Sequence, residues 1–230
     1  MCFSATADLV VGVALLPVAA LALREVKHWR EVPFALLPTV FAVHQFIEAA
    51  IWAGQGGNVS AGVAHFAILA YLVIALPLLP TYIPLSVLLL EPHGARLRVA
   101  PFVLLGGVVS TYLAFVLVTD PVWAIPHPHC LAYQTGVQNE LVWAVLYVVA
   151  VIGPALMSGY PSIVAFGVFN LVGLLVVAEL YFQAFASLWC IYAAVTSVLV
   201  LVHMTLRRRL PDPHRYHGVP LLFPPAPTTA

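Results

Sequence analysis

Residues 33–54, PFALLPTVFAVHQFIEAAIWAG, form an apolar stretch that is long enough to cross a bilayer as one helix. Within this stretch His44, Glu48 and Trp52 recur every four residues, so a helix places them in one stripe on one face. A carboxylic acid and an imidazole inside hydrocarbon are costly unless they serve a function or are shielded. The stretch therefore predicts a membrane helix that carries a functional site, with the other segments as its walls.

The composition is that of a membrane protein. Of the 230 residues, 63% are hydrophobic and 8% are charged, whereas soluble domains carry about 25% charged residues. Nine Lys and Arg balance nine Asp and Glu, so the net charge is zero. This balance excludes a basic surface for nucleic acid, and the sequence contains no paired-cysteine zinc motif and no glycine-rich phosphate loop. We therefore expect the lipid bilayer as a partner and no nucleic-acid partner.

Seven apolar segments are long enough to span a membrane. The third contains Pro77, Pro80 and Pro84, so we expect one kinked helix or a span followed by a re-entrant tail. The sequence predicts an all-α bundle of seven transmembrane helices over residues 1–206, followed by a basic and then proline-rich cytoplasmic tail over 207–230. The predicted spans are 5–23, 33–54, 61–90, 97–118, 139–157, 161–180 and 184–205.

The basic residues predict the orientation of the bundle in the cell membrane. All nine Lys and Arg follow the first, third or seventh predicted helix, which puts them on one side. The positive-inside rule makes that side cytoplasmic, so we expect the N-terminus outside and the C-terminus in the cytoplasm. The nine residues are Arg24, Lys27, Arg30, Arg96, Arg98, Arg207, Arg208, Arg209 and Arg215.

The acidic residues separate by side in the same scheme. Five carboxylates fall in the predicted outer half, which contains no Lys or Arg: Asp8, Glu48, Asp120, Glu140 and Glu179. Such groups must be hydrated, protonated, hydrogen-bonded or metal-bound, which indicates a site in the outer half. For Asp8, a place in the first turn of a helix after Ser4, favoured by the helix dipole, is the preferred explanation.

Glu48 and His44 are the strongest catalytic candidates. Apolar neighbours on the same helix should keep Glu48 neutral and able to donate a proton, while His44 could orient this acid or receive its proton. Gln45 adds an amide that could orient the same group. The alternative is a structural hydrogen bond between helices, which polar side chains in membrane bundles often form.

Two further candidates could complete this site. His65 follows the short outer loop after the second helix and could meet Glu48, although a polar helix end accounts for it equally well. Glu179, near the outer end of the sixth helix, could supply a second carboxylate, although a hydrated interfacial residue is the preferred interpretation.

Aromatic residues of the outer half are candidates for substrate binding. If several faced inward, they would form an electron-rich cavity that stabilises a carbocation. An interfacial belt explains each of them alone. The candidates are Trp52, Trp143, Trp189 and Tyr181.

The loop 119–138 contains the sequence PHPHC at 126–130. Proline favours an extended conformation in the residue before it, so His127 and His129 would face one side, as a zinc or copper site requires. Cys130 would be a third ligand, but a structural metal needs about four and no second paired motif is present. We expect no metal cofactor, with zinc or copper as the alternative.

Two segments, MCFSATADLV at 1–10 and HQFIEAAIW at 44–52, resemble a bacterial family of seven-helix membrane proteins of unknown function. Its members open Met-Cys-Phe/Trp-Ser-Ala and carry a His-Gln-x-x-Glu-x-x-x-Trp segment. The resemblance implies the seven-helix fold and points to Cys2, His44, Gln45, Glu48 and Trp52. In size, short loops and intramembrane acids, the chain is also similar at the level of fold to integral-membrane terpene cyclases. A rhodopsin is excluded, because the only lysine, Lys27, lies in a predicted cytoplasmic loop.

We therefore expect a membrane enzyme that acts on an isoprenoid or another lipid in an outer-half cavity, most concretely an acid-initiated terpene cyclase. Glu48 would protonate an alkene or epoxide, and Glu179 or His65 would take the final proton. The loop 119–138 would close the cavity against water. The alternatives are a zinc or copper centre in a lipid hydrolase or metal-handling protein, and a non-enzymatic path for protons or small solutes. The sequence does not indicate an oligomeric state.

Overall fold

The computed structural model describes residues 4–92, 96–127, 130–180, 192, 194 and 196–209, without the side chains of 130 and 180. This part of the chain is mostly helical. A 3-10 turn, Trp29–Glu31, precedes α2, and a π-helical segment, Ile74–Leu78, joins α4 to α5. The helices are α1 Ala5–Arg24, α2 Val32–Ala35, α3 Leu37–Gln55, α4 Ala61–Val73, α5 Leu79–Leu90, α6 Arg96–Thr119, α7 Glu140–Leu156, α8 Pro161–Leu180 and α9 Val198–Arg208.

Within the described ranges, five helical segments are long and apolar enough to cross a membrane. They match five of the predicted spans, and α7 matches a sixth but is shorter, at 17 residues. Most of the seventh, 184–205, lies outside the described residues, although α9 contains its end. The five segments are Ala5–Arg24, Trp29–Gln55, Ala61–Leu90, Arg96–Thr119 and Pro161–Glu179.

The third predicted span is one continuous helical segment. Its middle turn, Ile74–Leu78, has π-helical hydrogen bonding around Pro77, which accommodates the missing N–H and the bulk of the proline ring. Pro80 lies in the first turn of α5, where a helix does not require the backbone donor. The segment is therefore an irregular helix and not a span with a separate re-entrant tail.

The prediction of an all-α chain is wrong for the loop between α6 and α7. Here β1, Trp123–His127, pairs antiparallel with β2, Cys130–Gln134. Aromatic and β-branched residues favour this extended conformation, and a two-stranded ribbon tolerates Pro126 because both strands are edges. Leu131 is almost completely buried on the inner face of the hairpin.

The helices pack so that the hairpin covers one end of the bundle, called here the hairpin end. α1 lies along α3, α3 also packs on α4, and α9 contacts both α8 and α1. Beneath the hairpin a core cluster combines Ile51 of α3, Tyr71 of α4, Leu117 of α6 and Leu131 of β2. The side chain of Gln55 adds a hydrogen bond of 3.3 Å from its amide nitrogen to the Ala124 carbonyl oxygen. The hairpin is thus fixed over the ends of α3, α4 and α6.

Candidate functional site

The predicted polar residues of α3 lie inside the bundle. His44 is 1% exposed, and Gln45 and Glu48 are completely buried. In this 19-residue helix the three groups lie seven to eleven residues from the Gln55 end, which is about 10–17 Å at the rise of about 1.5 Å per residue. Burial of an amide, an imidazole and a carboxyl group on one helix indicates a site, because each is costly to remove from water.

Asp8 of α1 also belongs to this group of buried polar residues. The sequence interpretation did not predict its burial. Ser4 caps the helix by accepting a hydrogen bond of 3.3 Å from the Ala7 backbone N–H. Asp8 is then completely buried one turn later. The signal was present in the sequence, since an alternating spacing of four and three residues marks one helix face. The buried residues of α1 follow that spacing: Asp8, Gly12, Leu15, Ala19 and Ala22.

Two contacts between α1 and α3 indicate which part of α1 lies opposite Glu48. A Cβ atom added to Gly12 would lie 2.7 Å from the Phe46 ring, so the two helices approach closely there. One turn nearer the hairpin end, the Trp52 indole lies beside the Asp8 carboxyl group, although the pair falls outside hydrogen-bond geometry. Glu48 lies between Phe46 and Trp52 in the sequence. Along the axis of α3 it therefore lies opposite the part of α1 between Gly12 and Asp8. Asp8, Gln45, His44 and Glu48, with Trp52, are called here the outer cluster, a name that follows only the orientation predicted from the sequence.

The outer cluster contains hydrogen-bonding capacity that the described residues do not use. Neither carboxyl oxygen of Asp8 and neither amide atom of Gln45 has a hydrogen-bond partner among them. A buried polar group without a partner costs about 1–3 kcal/mol in proteins. Groups of this kind in a native structure require an explanation, and a functional role is one of the few available.

His44 has a defined tautomer in this arrangement. Its Nε2 atom lies 3.2 Å from the backbone carbonyl oxygen of Tyr71, and a carbonyl oxygen only accepts hydrogen bonds. The proton of a neutral imidazole is therefore assigned to Nε2, which leaves a lone pair on Nδ1. Nδ1 has no hydrogen-bond partner in the described part of the chain.

A stack of three rings links His44 to the hairpin. The His44 and Tyr71 ring centroids are 3.9 Å apart, and those of Tyr71 and Tyr133 are 4.4 Å apart. Tyr133 belongs to β2, so the loop between α6 and α7 reaches the outer cluster through this stack.

Other predicted site residues lie elsewhere. His65 is exposed on α4, and Glu179 is exposed in the last turn of α8, so the structure brings neither into the buried cluster. Trp143 is half-buried and stacks on Tyr112 with ring centroids 3.7 Å apart. Both line an apolar surface groove of about 800 Å³ between α6 and α7, which contains no member of the outer cluster. The two remaining aromatic candidates, Trp189 and Tyr181, lie outside the described residues.

The predicted metal-ligating residues are only partly described. His127 is half-buried and lies opposite Cys130 in the hairpin register. His129 and the side chain of Cys130 lie outside the described part. Within that part, no group of three or more His, Cys, Asp and Glu side chains is arranged to hold a metal ion. The zinc or copper alternative stays a prediction.

A second polar cluster occupies the opposite end of the bundle, and the sequence interpretation missed it. Arg207 of α9 is 2% exposed, and its Nε donates to Oε1 of the buried Glu31 over 3.1 Å. Its Nη2 donates to the Leu90 carbonyl oxygen over 3.3 Å, and its guanidinium lies 4.7 Å from the centre of the Tyr160 ring. Glu91, which is also buried, accepts hydrogen bonds from the Ser158 hydroxyl and the Gly159 N–H. This group is called here the Arg207 cluster.

Fold and site together define a mostly helical protein whose long apolar helices could cross a membrane. A buried polar cluster lies among these helices, with members on α1 and α3. A family model matches residues 1–216. The chain belongs to that family, DUF6629, a family of unknown function. The expected membership of such a family is thus confirmed, whereas these comparisons do not bear on the similarity to terpene cyclases. No curated protein and no solved structure matches the chain.

Proposed function

We propose that this protein is a membrane-embedded enzyme that acts on an isoprenoid or another lipid in the outer half of a seven-helix bundle. The most concrete form of the proposal is an acid-initiated terpene cyclase. In this proposal the hairpin end faces the outside of the cell membrane and the Arg207 cluster faces the cytoplasm.

Exposed apolar side chains support the membrane location. Phe66 is 73% exposed, Leu104 75% and Val118 87%. Phe66 lies on α4 and the other two on α6, and both helices belong to segments long enough to span a bilayer. Monomeric soluble proteins rarely present extensive apolar surface to water, whereas lipid chains would cover it. The positive-inside rule supports the orientation, since all basic residues of the chain follow the same three helices.

The observation that carries the enzymatic proposal is the burial of Glu48, Asp8, Gln45 and His44 in the interior of the bundle around α3. In a membrane interior, ionisable groups are costly and therefore mark functional sites. A buried carboxyl group favours its neutral form, which is the form that protonates an alkene or an epoxide. His44 and Gln45 would orient this acid, and the aromatic rings of Trp52 and Tyr133 would face a cationic intermediate.

The first test determines orientation. Single cysteines introduced at exposed positions within 55–60 and 121–137 should react with an impermeant thiol reagent added to intact cells, whereas those at 25–31 and 207–215 should not. The reverse pattern would place the outer cluster towards the cytoplasm and overturn the proposed orientation.

The second test concerns the reaction. Purified protein in lipid nanodiscs is incubated with linear isoprenoid alkenes and epoxides, and mass spectrometry detects a product of unchanged mass and altered retention. Glu48→Gln keeps the size and hydrogen-bonding shape of the side chain but removes the transferable proton. We expect it to lower the rate by at least about 10²-fold, a typical contribution of a general acid.

The matched control is Glu140→Gln, which makes the same change at an exposed position in the first turn of α7. We expect this variant to keep the wild-type rate. A Glu48→Gln variant with a near-wild-type rate would exclude Glu48 as the acid. No conversion of any isoprenoid by the wild type would count against the substrate class.

A further inference from the structure

We infer that Tyr147 of α7 is a positioning residue that fixes His44 of α3 through the π-helical segment between α4 and α5. The Tyr147 hydroxyl group supports this segment from one side, and the segment holds Tyr71 against His44 on another. Single π-helical turns inside α-helices occur frequently at functional sites. The inference rests on the proposed function for what His44 does in the reaction, but its test requires no substrate.

The π-helical segment leaves one buried carbonyl oxygen without its usual backbone donor. In an α-helix the Ala75 carbonyl oxygen would accept from the N–H of residue 79, but here the Leu79 N–H donates to the Ile74 carbonyl oxygen. With π-helical hydrogen bonding the donor would be residue 80, which is a proline and has no N–H. Because Ala75 is 6% exposed, its carbonyl oxygen requires another donor.

Tyr147 supplies that donor. Its hydroxyl group donates a hydrogen bond of 2.6 Å to the Ala75 carbonyl oxygen, and the two residues lie 72 positions apart in the chain. Tyr147 is itself buried, so removal of its hydroxyl group would leave the buried carbonyl oxygen without this partner, which is costly. The π-helical segment therefore depends on a contact from α7.

The segment also decides which way α4 faces. A π-helical turn contains one residue more than a turn of α-helix, and each residue rotates a helix by about 100°. α4 packs on α3, whereas α5 packs on α6 and α7. If the chain from 61 to 90 were one regular α-helix, Tyr71 would be turned away from α3 as long as α5 kept its own contacts.

Tyr71 transmits this position to His44. Its carbonyl oxygen lies 3.2 Å from His44 Nε2, and its ring is stacked on the imidazole with centroids 3.9 Å apart. Tyr71 lies three residues before the π-helical segment, so a change in the segment moves both contacts. The carbonyl oxygen holds the imidazole proton on Nε2 and keeps the Nδ1 lone pair as an acceptor. In the proposed function this lone pair would orient the acid.

NMR of protein containing ¹⁵N-labelled histidine tests the inference, because the chemical shifts of the two ring nitrogens report which one carries the proton. The spectrum of His44→Gln identifies the His44 signals by their loss. In the wild type we expect one neutral His44 species, protonated on Nε2. Tyr147→Phe removes the hydroxyl group and keeps the ring. In this variant we expect loss of the single species and a second set of His44 signals, from the tautomer protonated on Nδ1.

The matched control is Tyr82→Phe on α5. The Tyr82 hydroxyl group also donates to a backbone carbonyl oxygen, over 2.7 Å, but its partner, Pro33, lies on α2. We expect Tyr82→Phe to leave the His44 signals unchanged. The control thus separates a general loss of stability from loss of the contact that supports the π-helical segment.

The outcomes also separate this inference from the proposed function. A wild-type His44 protonated on Nδ1 would overturn the inference. So would a Tyr147→Phe spectrum with the wild-type His44 signals, or one that changes no more than the Tyr82→Phe spectrum. A response of His44 to Tyr147→Phe alone supports the inference, and failure of the proposed function is then detected separately, by the absence of isoprenoid conversion.

Discussion

Adjacent arginines at the end of α9 provide a sharp test of the packing, because one is buried and the other is exposed. Arg207 and Glu31 are 1% and 0% exposed in their side chains. Removal of one partner from such a pair leaves a buried charge without compensation and typically costs about 3–5 kcal/mol. We therefore expect Arg207→Gln to destabilise the protein strongly.

Arg208 is the matched control. It donates to both carboxyl oxygens of Glu25 over 2.9 and 2.8 Å, but half of its side chain is exposed. Exposed ion pairs contribute about 0.2–1 kcal/mol. For a chain of this length, about 2–4 °C of melting temperature correspond to 1 kcal/mol. We expect Arg207→Gln to lower the melting temperature by about 6–20 °C, and Arg208→Gln by at most about 4 °C.

The assay is thermal unfolding of the detergent-solubilised variants, monitored by tryptophan fluorescence. A double variant, Glu31→Gln with Arg207→Gln, removes both charges and should cost less than the sum of the two single changes, because the two sites interact directly. Equal shifts for the Arg207 and Arg208 variants, or an additive double variant, would refute the buried ion pair.

Two other contacts give predictions with internal controls. In Gly106→Ala the added methyl group would overlap the Pro80 carbonyl oxygen and lie 2.7 Å from its carbon, so we expect a loss of about 1–3 kcal/mol in thermal unfolding. Gly107→Ala, with nothing within 4 Å, should cause no loss. Tyr133→Ala removes a ring from the stack that holds the hairpin and should increase proteolysis within 123–134, whereas Trp123→Ala, at a side chain 57% exposed, should not.

The same pairs of variants define the results that would contradict these predictions. Equal melting temperatures for the two alanine variants of α6 would mean that α5 and α6 do not approach as described. Equal proteolysis of the two hairpin variants would mean that the stacked tyrosine does not hold the hairpin in place.

The sequence predicted those parts of the fold that depend on local periodicity. Five predicted spans are long apolar helices in the structure, since an apolar run of about 20 residues satisfies its backbone hydrogen bonds only as a helix. The spacing of His44 and Glu48 likewise gave their shared face. The hairpin was missed because its five-residue strands become stable only when Leu131 and Tyr133 pack on α3 and α4, which no local pattern reveals.

Tertiary contacts decide which residues form the two polar clusters, so the sequence alone did not predict their members. Arg207 was assigned to a basic tail, and its partner Glu31 lies 176 residues away in the chain. Asp8 had a sufficient local explanation in the helix dipole, so its burial against α3 was not expected. Whether the His65 and Glu179 side chains are exposed depends on how α4 and α8 are rotated about their axes. Both helices are apolar on all sides, so their sequences do not indicate that rotation.

The contrast between the two clusters is itself an argument for where the function lies. In the Arg207 cluster each charged side chain that ties the helix ends together has a partner: Arg207 binds Glu31, and Glu91 accepts from Ser158 and Gly159. Such pairing is what a structural role requires, because it offsets the cost of burial. In the outer cluster, Asp8 and Gln45 are buried just as deeply without a described hydrogen-bond partner. Stability alone would favour apolar side chains at these positions, so their polar groups support the proposed site.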